Sequence, residues 1–248
     1  MILDLNKKSI EKLFDLKISA RLEKKYSDLR YKLNVLNRSD REKLYTYILK
    51  KIDSNNFQVS GNNRSNDWEN GWNENYLEYS NTFNNDLLIP KYYKKDSILR
   101  LNGEYVSPKE SNFKLSITKV FFEAIFENWL HEFDCIHDFG CGTGWHLLRF
   151  SKKDKTKKYY GYDWVDSSQK IINTIAKQNN IDLFGYKFDF TNPNYEIEFP
   201  NNSVVYTFGA LEQIGTKWNN FLNFLLEKKP RLIINIEPLE ELYDQNLF

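Results

Sequence analysis

The sequence predicts an α/β protein: a Rossmann-like, doubly wound, mostly parallel sheet of five core strands behind an N-terminal helical extension. Three observations predict it. From residue 133 onward, short apolar runs alternate with segments of helical spacing, the pattern of strand–helix–strand crossovers. The turn after the first of those runs, "DFGCGTG", places glycines at 140, 142 and 144, in a chain with only 10 glycines among 248 residues. Before residue 133 the apolar residues mostly keep helical spacing, with one hairpin signal among them.

The elements follow in order. Residues 7 to 37 read as helix, with Ile10, Leu13, Phe14 and Ile18 on one stripe and Leu29, Leu33 and Leu36 continuing one. "SDRE" has the form of a capping box in which Ser39 and Glu42 satisfy each other's backbone, opening a second helix with Leu44, Ile48 and Ile52. Residues 53 to 67 are polar and read as a loop. "WENGWNENYLEY", 68 to 79, is dense in rings and acids, suited equally to a core and to a ligand wall. In "ILRLNGEYV", Asn102-Gly103 supplies the two positive-φ residues of a tight hairpin turn. Residues 111 to 131 return to helix. Strands are then expected at 133–139, 157–163, 182–190, 203–209 and 231–238, and helices from Gly144, over 167–178 and over 217–228. A division follows: 1–110 as extension, loop and hairpin, and 111–248 as the core.

Composition narrows the function classes. Hydrophobic residues make up 41% and charged residues 28%, with a net charge of +1. That suits a folded protein with a sizeable core and gives no bulk attraction to nucleic acid or anionic membrane. No uncharged apolar run approaches the roughly 20 residues a spanning helix needs. The N-terminus lacks a signal-peptide core. Two cysteines, Cys135 and Cys141, make no disulfide framework, and no Cys/His cluster has zinc spacing. A cytoplasmic location, with no metal, nucleic acid or membrane, is the expectation.

The glycine loop falls between the first core strand and the helix after it. Ligands of such sheets bind beyond the carboxyl ends of the strands, where glycine lets a ligand approach the backbone. A dinucleotide fingerprint would want glycine at 145, where this chain has Trp145. A phosphate loop's Gly-Lys-Ser/Thr is absent. "DFG" here lacks the other kinase motifs.

The remaining pattern, D-x-G-x-G-x-G from Asp138 to Gly144, resembles the first motif of class I S-adenosylmethionine-dependent methyltransferases. "YYGYD", "KFDF" and "TFGALEQIG" fall where that family places its later motifs. The resemblance covers residues 133 to 238. It implies a donor site of Asp138, Phe139, Gly140, Cys141, Gly142 and Gly144, with S-adenosylmethionine as cofactor and S-adenosylhomocysteine as product. It implies that Asp163, followed by Trp164, takes the ribose hydroxyls. Asp189 would meet the adenine amine, with Phe190 flanking the ring. Phe208, Gly209 and Ala210 would line the methionine and substrate side. Ionised carboxylates are pure acceptors, which suits hydroxyls and an amine. A looser resemblance, carried by "WENGWNENYLEY", "LLIPKYYKKDSILRLNGEYV", "FGALEQ" and "IEPLEELYD", is to bacterial methyltransferases with an N-terminal extension, some acting on sugars or other small metabolites.

The acceptor side is less legible. Glu212 is the first candidate for a base near the acceptor, with His146 second and Gln213 and Glu237 nearby. His137 reads as structural and Cys141 as a small loop residue. Trp72, Tyr76, Tyr92 and Tyr93 are lid or core candidates. "TNPNY" resembles the Asn-Pro-Pro-Tyr of amino-methylating nucleic-acid enzymes, but it follows the third strand and lacks the second proline. A class I sheet ends in a hairpin against its fifth strand, and little sequence follows Ile236. Either the extension or a second subunit is then expected to mask that edge, as a homodimer would. The expected function is methyl transfer to a small-molecule acceptor, with two alternatives: a donor-binding but inactive subunit of an assembly, and a nicotinamide-dependent oxidoreductase.

Overall fold

The structure is a computed structural model and describes residues 2–26, 29–54, 61–94 and 98–239. The chain forms two compact units, each drawn from two stretches: 1–59 with 91–129, and 60–90 with 130–248. This division differs from the expected boundary at 110/111. Residues 60–90 belong with the parallel sheet, and the helix after residue 111 belongs with the other unit.

The first unit contains β1 (Ile2–Leu5), α1 (Lys7–Phe14), α2 (Ala20–Lys25), β2 (Tyr31–Val35) and α3 (Arg38–Asp53). After α4 (Ser65–Thr82), which lies in the second unit, come β3 (Leu99–Leu101), β4 (Glu104–Pro108) and α5 (Phe113–Asn128). Its strands make an antiparallel sheet in the order β1-β2-β4-β3. The extension is therefore not purely helical, and the helix expected through residue 37 is corrected by β2. Leu29 and Leu33 satisfy a spacing of four and also a spacing of two, and Tyr31 is buried with them. Alternation won because that face packs inward while Lys32 and Asn34 stay exposed.

The expected capping box does not form. Asn37 caps α3 by accepting from the Asp40 N–H at 2.9 Å, and Glu42 pairs with Arg38 at 2.8 Å. The β3–β4 turn is as expected, with Asn102 and Gly103 at φ 49° and 83°. Of the expected loop at 53–67, residues 55–60 lie outside the described residues, and α4 already begins at Ser65.

The second unit is built on β5 (Cys135–Phe139), α6 (Trp145–Ser151), β6 (Lys158–Asp163), α7 (Asp166–Asn179), β7 (Leu183–Lys187), β8 (Ser203–Phe208), α8 (Asn219–Lys228) and β9 (Leu232–Ile236). All five strands are parallel, in the order β7-β6-β5-β8-β9. This is the doubly wound α/β sheet the sequence predicts. The order reverses direction at β5, between β6 and β8, which makes the ends of those strands the place for a ligand.

Helices cover both faces. On one, Gly161 and Gly185 let Ile172 of α7 lie directly on the sheet, and Phe150 of α6 meets Tyr206 edge-on. On the other, Phe221, Phe224 and Leu225 of α8 pack on Phe139, Tyr162, Phe188 and Val205. His137 lies in that aromatic layer, stacked on Tyr160 at 4.4 Å, with Nδ1 3.1 Å from the Tyr162 hydroxyl and Nε2 3.2 Å from the Ser203 hydroxyl. Burial lowers its pKa to about 3, so it is neutral. Among the described residues no helix is long and apolar enough to cross a membrane.

Candidate functional site

The site grows from the turn between β5 and α6. Gly140, Gly142 and Gly144 take φ of 82°, 53° and 66°. All three also need the missing side chain for space. A Cβ on Gly140 would stand 2.3 Å from the Ala210 Cβ, one on Gly142 would stand 2.9 Å from the Trp72 indole, and one on Gly144 would stand 2.3 Å from Ile172 Cδ1. The first contact brings the loops after β5 and β8 together, with Phe190 within 3.8 Å of the same point.

The turn is pinned by its own backbone. The Gly140 and Cys141 N–H groups donate to the Tyr162 carbonyl at 2.8 and 3.0 Å. The Gly142 N–H donates to Asp163 Oδ2 at 2.9 Å, and the Val165 N–H to Asp163 Oδ1 at 3.3 Å. The Ser168 hydroxyl donates to the Gly142 carbonyl. Asp163 is thus the clamp that fixes the glycine turn to the end of β6. Burial raises its pKa to about 6, partly offset by these amides.

Asp138 lies behind the turn, 2% exposed, and accepts from the Tyr206 hydroxyl at 2.6 Å. Burial raises it to about 7, and the charge of Asp163 adds to that. The Phe139 side chain points away from the turn and into the core. Its ring is fully buried and stacked on Tyr162 at 4.2 Å, so it supports the wall from within the core. Cys141 is buried 3.4 Å from the Ser168 hydroxyl, and burial pushes its thiol pKa well up, which makes it a poor nucleophile.

A cavity of about 220 Å³ is lined by Ser65, Trp164, Lys187, Phe188 and Asp189. Trp164 and Asp189 therefore line one cavity, one from just after β6 and one from beyond β7. Asp189 Oδ1 is held by the Thr191 N–H and hydroxyl at 2.8 and 2.7 Å. Lys187 pairs with Asp166 at 2.7 Å.

Across the turn, Gly209 has φ 58° and its N–H donates to the Ile236 carbonyl at 2.9 Å. Glu237 accepts from the Ala210 N–H at 3.1 Å and the Glu212 N–H at 3.4 Å. Glu212 in turn accepts from Gln213 Nε2 at 3.0 Å, and Arg64 donates to Gln213 Oε1 at 3.0 Å. Burial raises the Glu212 pKa, and the Glu237 charge adds to it. That moves Glu212 toward the range a general base needs. His146 goes the other way. It packs edge-on to Phe208 at 5.6 Å, still partly exposed, and its dense surroundings and Arg149 lower its pKa to about 3. A base that weak leaves Glu212 the better candidate.

The stretch 60–90 supplies what sequence reasoning missed. Ser65 lines the cavity, and Glu69 caps α7 by accepting from the Ser167 N–H and hydroxyl at 3.1 and 3.2 Å. Trp72, a lid candidate, is 8% exposed and lies over Gly142. The ring-and-acid density of 68–79 was the available signal. It marked the segment without saying which acid would cap which helix. Tyr92 and Tyr93 belong to the first unit, where the Lys114 ammonium lies 5.5 and 5.4 Å from their ring centres.

No protein-family model matches the chain, and no curated protein sequence matches it either. Among solved structures it is similar to the Pyrococcus abyssi tRNA (uracil-54, C5)-methyltransferase in complex with S-adenosyl-L-homocysteine. The identity is 15% and the TM-score 0.40, over 53% of this chain and 31% of that one. StiE O-MT residues 961–1257 match at 17% identity and TM-score 0.38, over 50% and 43%. The PH0226 protein of Pyrococcus horikoshii OT3 matches at 12% identity and TM-score 0.38, over 46% and 52%. The chain thus covers from about a third to about half of these structures. Likeness at this level decides neither activity nor substrate.

Proposed function

We propose that this chain binds S-adenosylmethionine at the carboxyl edge of the parallel sheet and transfers its methyl group to a small-molecule acceptor, a sugar or other metabolite hydroxyl. One observation carries the reading. Asp163 clamps the Gly142 amide, and the next residue, Trp164, lines a cavity together with Asp189. The residues fit the donor's chemistry. The base would lie against Trp164, Phe188 and Asp189. The ribose would lie at Asp163, whose carboxylate accepts the Gly142 and Val165 N–H groups and has further lone pairs for hydroxyls. The methionine end would follow Gly140 and Ala210. The cavity is smaller than the roughly 300 Å³ at which whole-ligand pockets begin, so it suits the base end alone.

The donor brings a sulfonium that is its own leaving group, and the protein's task is alignment. Glu212, with its raised pKa, takes the proton of the acceptor hydroxyl. The Arg64–Gln213 bond fixes that carboxylate in place.

Calorimetry with S-adenosylmethionine, S-adenosylhomocysteine and NAD tests the reading. The first two bind the wild type and NAD does not. Asp163→Ala loses binding by about tenfold or more, the worth of one charged hydrogen bond. A wild type that binds neither donor form overturns the reading. Donor binding without turnover until another protein is added would favour the inactive-subunit alternative.

A further inference from the structure

The outer edge of β9 is the feature that the proposed activity leaves unused. Among the described residues β9 pairs with β8 alone, and no described strand lies along its other edge. The Ile236 carbonyl accepts from Gly209 on the β8 side. Alternation along a strand then sends the N–H and C=O groups of Ile233 and Asn235 to the outer edge. The opposite edge of the sheet, β7, carries Gly185 and Lys187, the interruptions that keep edges from pairing. β9 reads "LIINI", with no charge, proline or glycine.

We infer that this edge joins a second copy of the chain, two β9 strands pairing antiparallel about a two-fold axis through Ile234. This register uses both outward residues, because Ile233 faces the partner's Asn235 and Asn235 faces the partner's Ile233. Leu232 faces the partner's Ile236, apolar against apolar. Arg231 and Glu237 flank the strand with opposite signs, so the same register sets unlike charges opposite each other at both ends. An isologous contact requires this kind of self-complementarity.

The helix leading into β9 adds apolar surface. Trp218, Leu222 and Leu226 recur at a spacing of four along α8 and its start, and are 46%, 44% and 60% exposed, while Ile233 is 38% exposed. α8 buries Phe221, Phe224 and Leu225 on its other side, so among the described residues this stripe lies outside the core.

Light scattering and sedimentation of the full chain over a wide concentration range test the inference, and a dimer is expected. Ile233→Lys weakens the dimer by about tenfold or more, since each subunit would bury an unpaired ammonium. Its circular dichroism and donor binding stay unchanged. Ile234→Cys is an independent arm. In the inferred register residue 234 meets its own copy in a non-hydrogen-bonded pair, with Cα atoms about 4.5 Å apart, within disulfide reach. Mild oxidation then gives a covalent dimer, the native Cys135 and Cys141 being buried. A monomer at every concentration without the cross-link overturns the inference. So does a dimer indifferent to Ile233→Lys. A monomer with slowly exchanging Ile233 and Asn235 amides would show instead that the chain's own residues cover the edge.

Discussion

Asp138→Asn should raise stability at neutral and alkaline pH and flatten its dependence on pH. The Asp138 carboxyl is 2% exposed and accepts one hydrogen bond, from the Tyr206 hydroxyl at 2.6 Å. Burial moves its pKa from 3.8 to about 7. Between those values the folded chain holds a proton that the unfolded chain has released. Stability therefore falls as pH rises through the window, and the full penalty is present above about pH 7. About three pH units at 1.36 kcal/mol each give an upper bound of about 4 kcal/mol. Asp163, raised to about 6, adds a smaller loss of the same sign, and the two titrate as a coupled pair. Asparagine keeps an acceptor for Tyr206 and cannot ionise, but its amide brings a buried donor that costs about 1–3 kcal/mol. The expected net gain at pH 8 is about 2 kcal/mol, passing through zero at about pH 5 and becoming a loss of about 2 kcal/mol by about pH 4. Urea denaturation of both proteins from pH 4 to 8 reads it. Equal pH slopes for the two, or a variant less stable at pH 8, would refute an ionised, buried Asp138.

Two further outcomes concern the glycine turn. Trp72→Ala should cost about 3 kcal/mol by emptying a buried indole site, and should also tighten donor binding, because Trp72 lies over the face of Gly142 that a donor would approach; denaturation and calorimetry separate the two effects, and weaker binding would mean that Trp72 is a wall of the site. Gly140→Ala should lose donor binding and about 2 kcal/mol or more of stability, since φ is 82° and the added Cβ meets Ala210 at 2.3 Å; wild-type binding and stability would show that the two loops separate freely.

The parallel sheet was legible because each of its strands is a short apolar run ending in a turn; Asp163 ends β6 as expected, while β7 stops at Lys187, two residues before Asp189. The sheet's order could not be read from local pattern. The spacing of residues along one strand does not say which strand lies beside it, and the order appears only in the folded pairing. The first unit was misread where two periodicities coincide, at Leu29 and Leu33, since spacing alone carries no record of which face meets a partner. Of the residues the resemblance implied for a donor, Asp163 reaches the Gly142 amide and Trp164 and Asp189 line one cavity, while the Phe139 ring lies in the core, as an alternating strand sends it to the far face. Trp72 was legible only as a lid or core candidate, and Ser65 and Glu69 not at all, because their neighbours in the fold lie about 70 to 120 residues away in sequence: Gly142 for Trp72, Ser167 for Glu69, and Asp189 on the same cavity wall for Ser65.

The interleaving of the two units has a consequence for synthesis. The chain passes between them after residues 59, 90 and 129. α4 leaves the ribosome early, with Trp72, Asn75 and Tyr79 destined for burial, but the helix it packs against and caps begins at Asp166. At about 5–20 residues per second that wait lasts several seconds. During it the cover of the site exists before the site does. Nascent chains shorter than α7 should therefore be the species that aggregates or recruits chaperones, and slowing translation between Thr82 and Asp166 should lengthen that exposure.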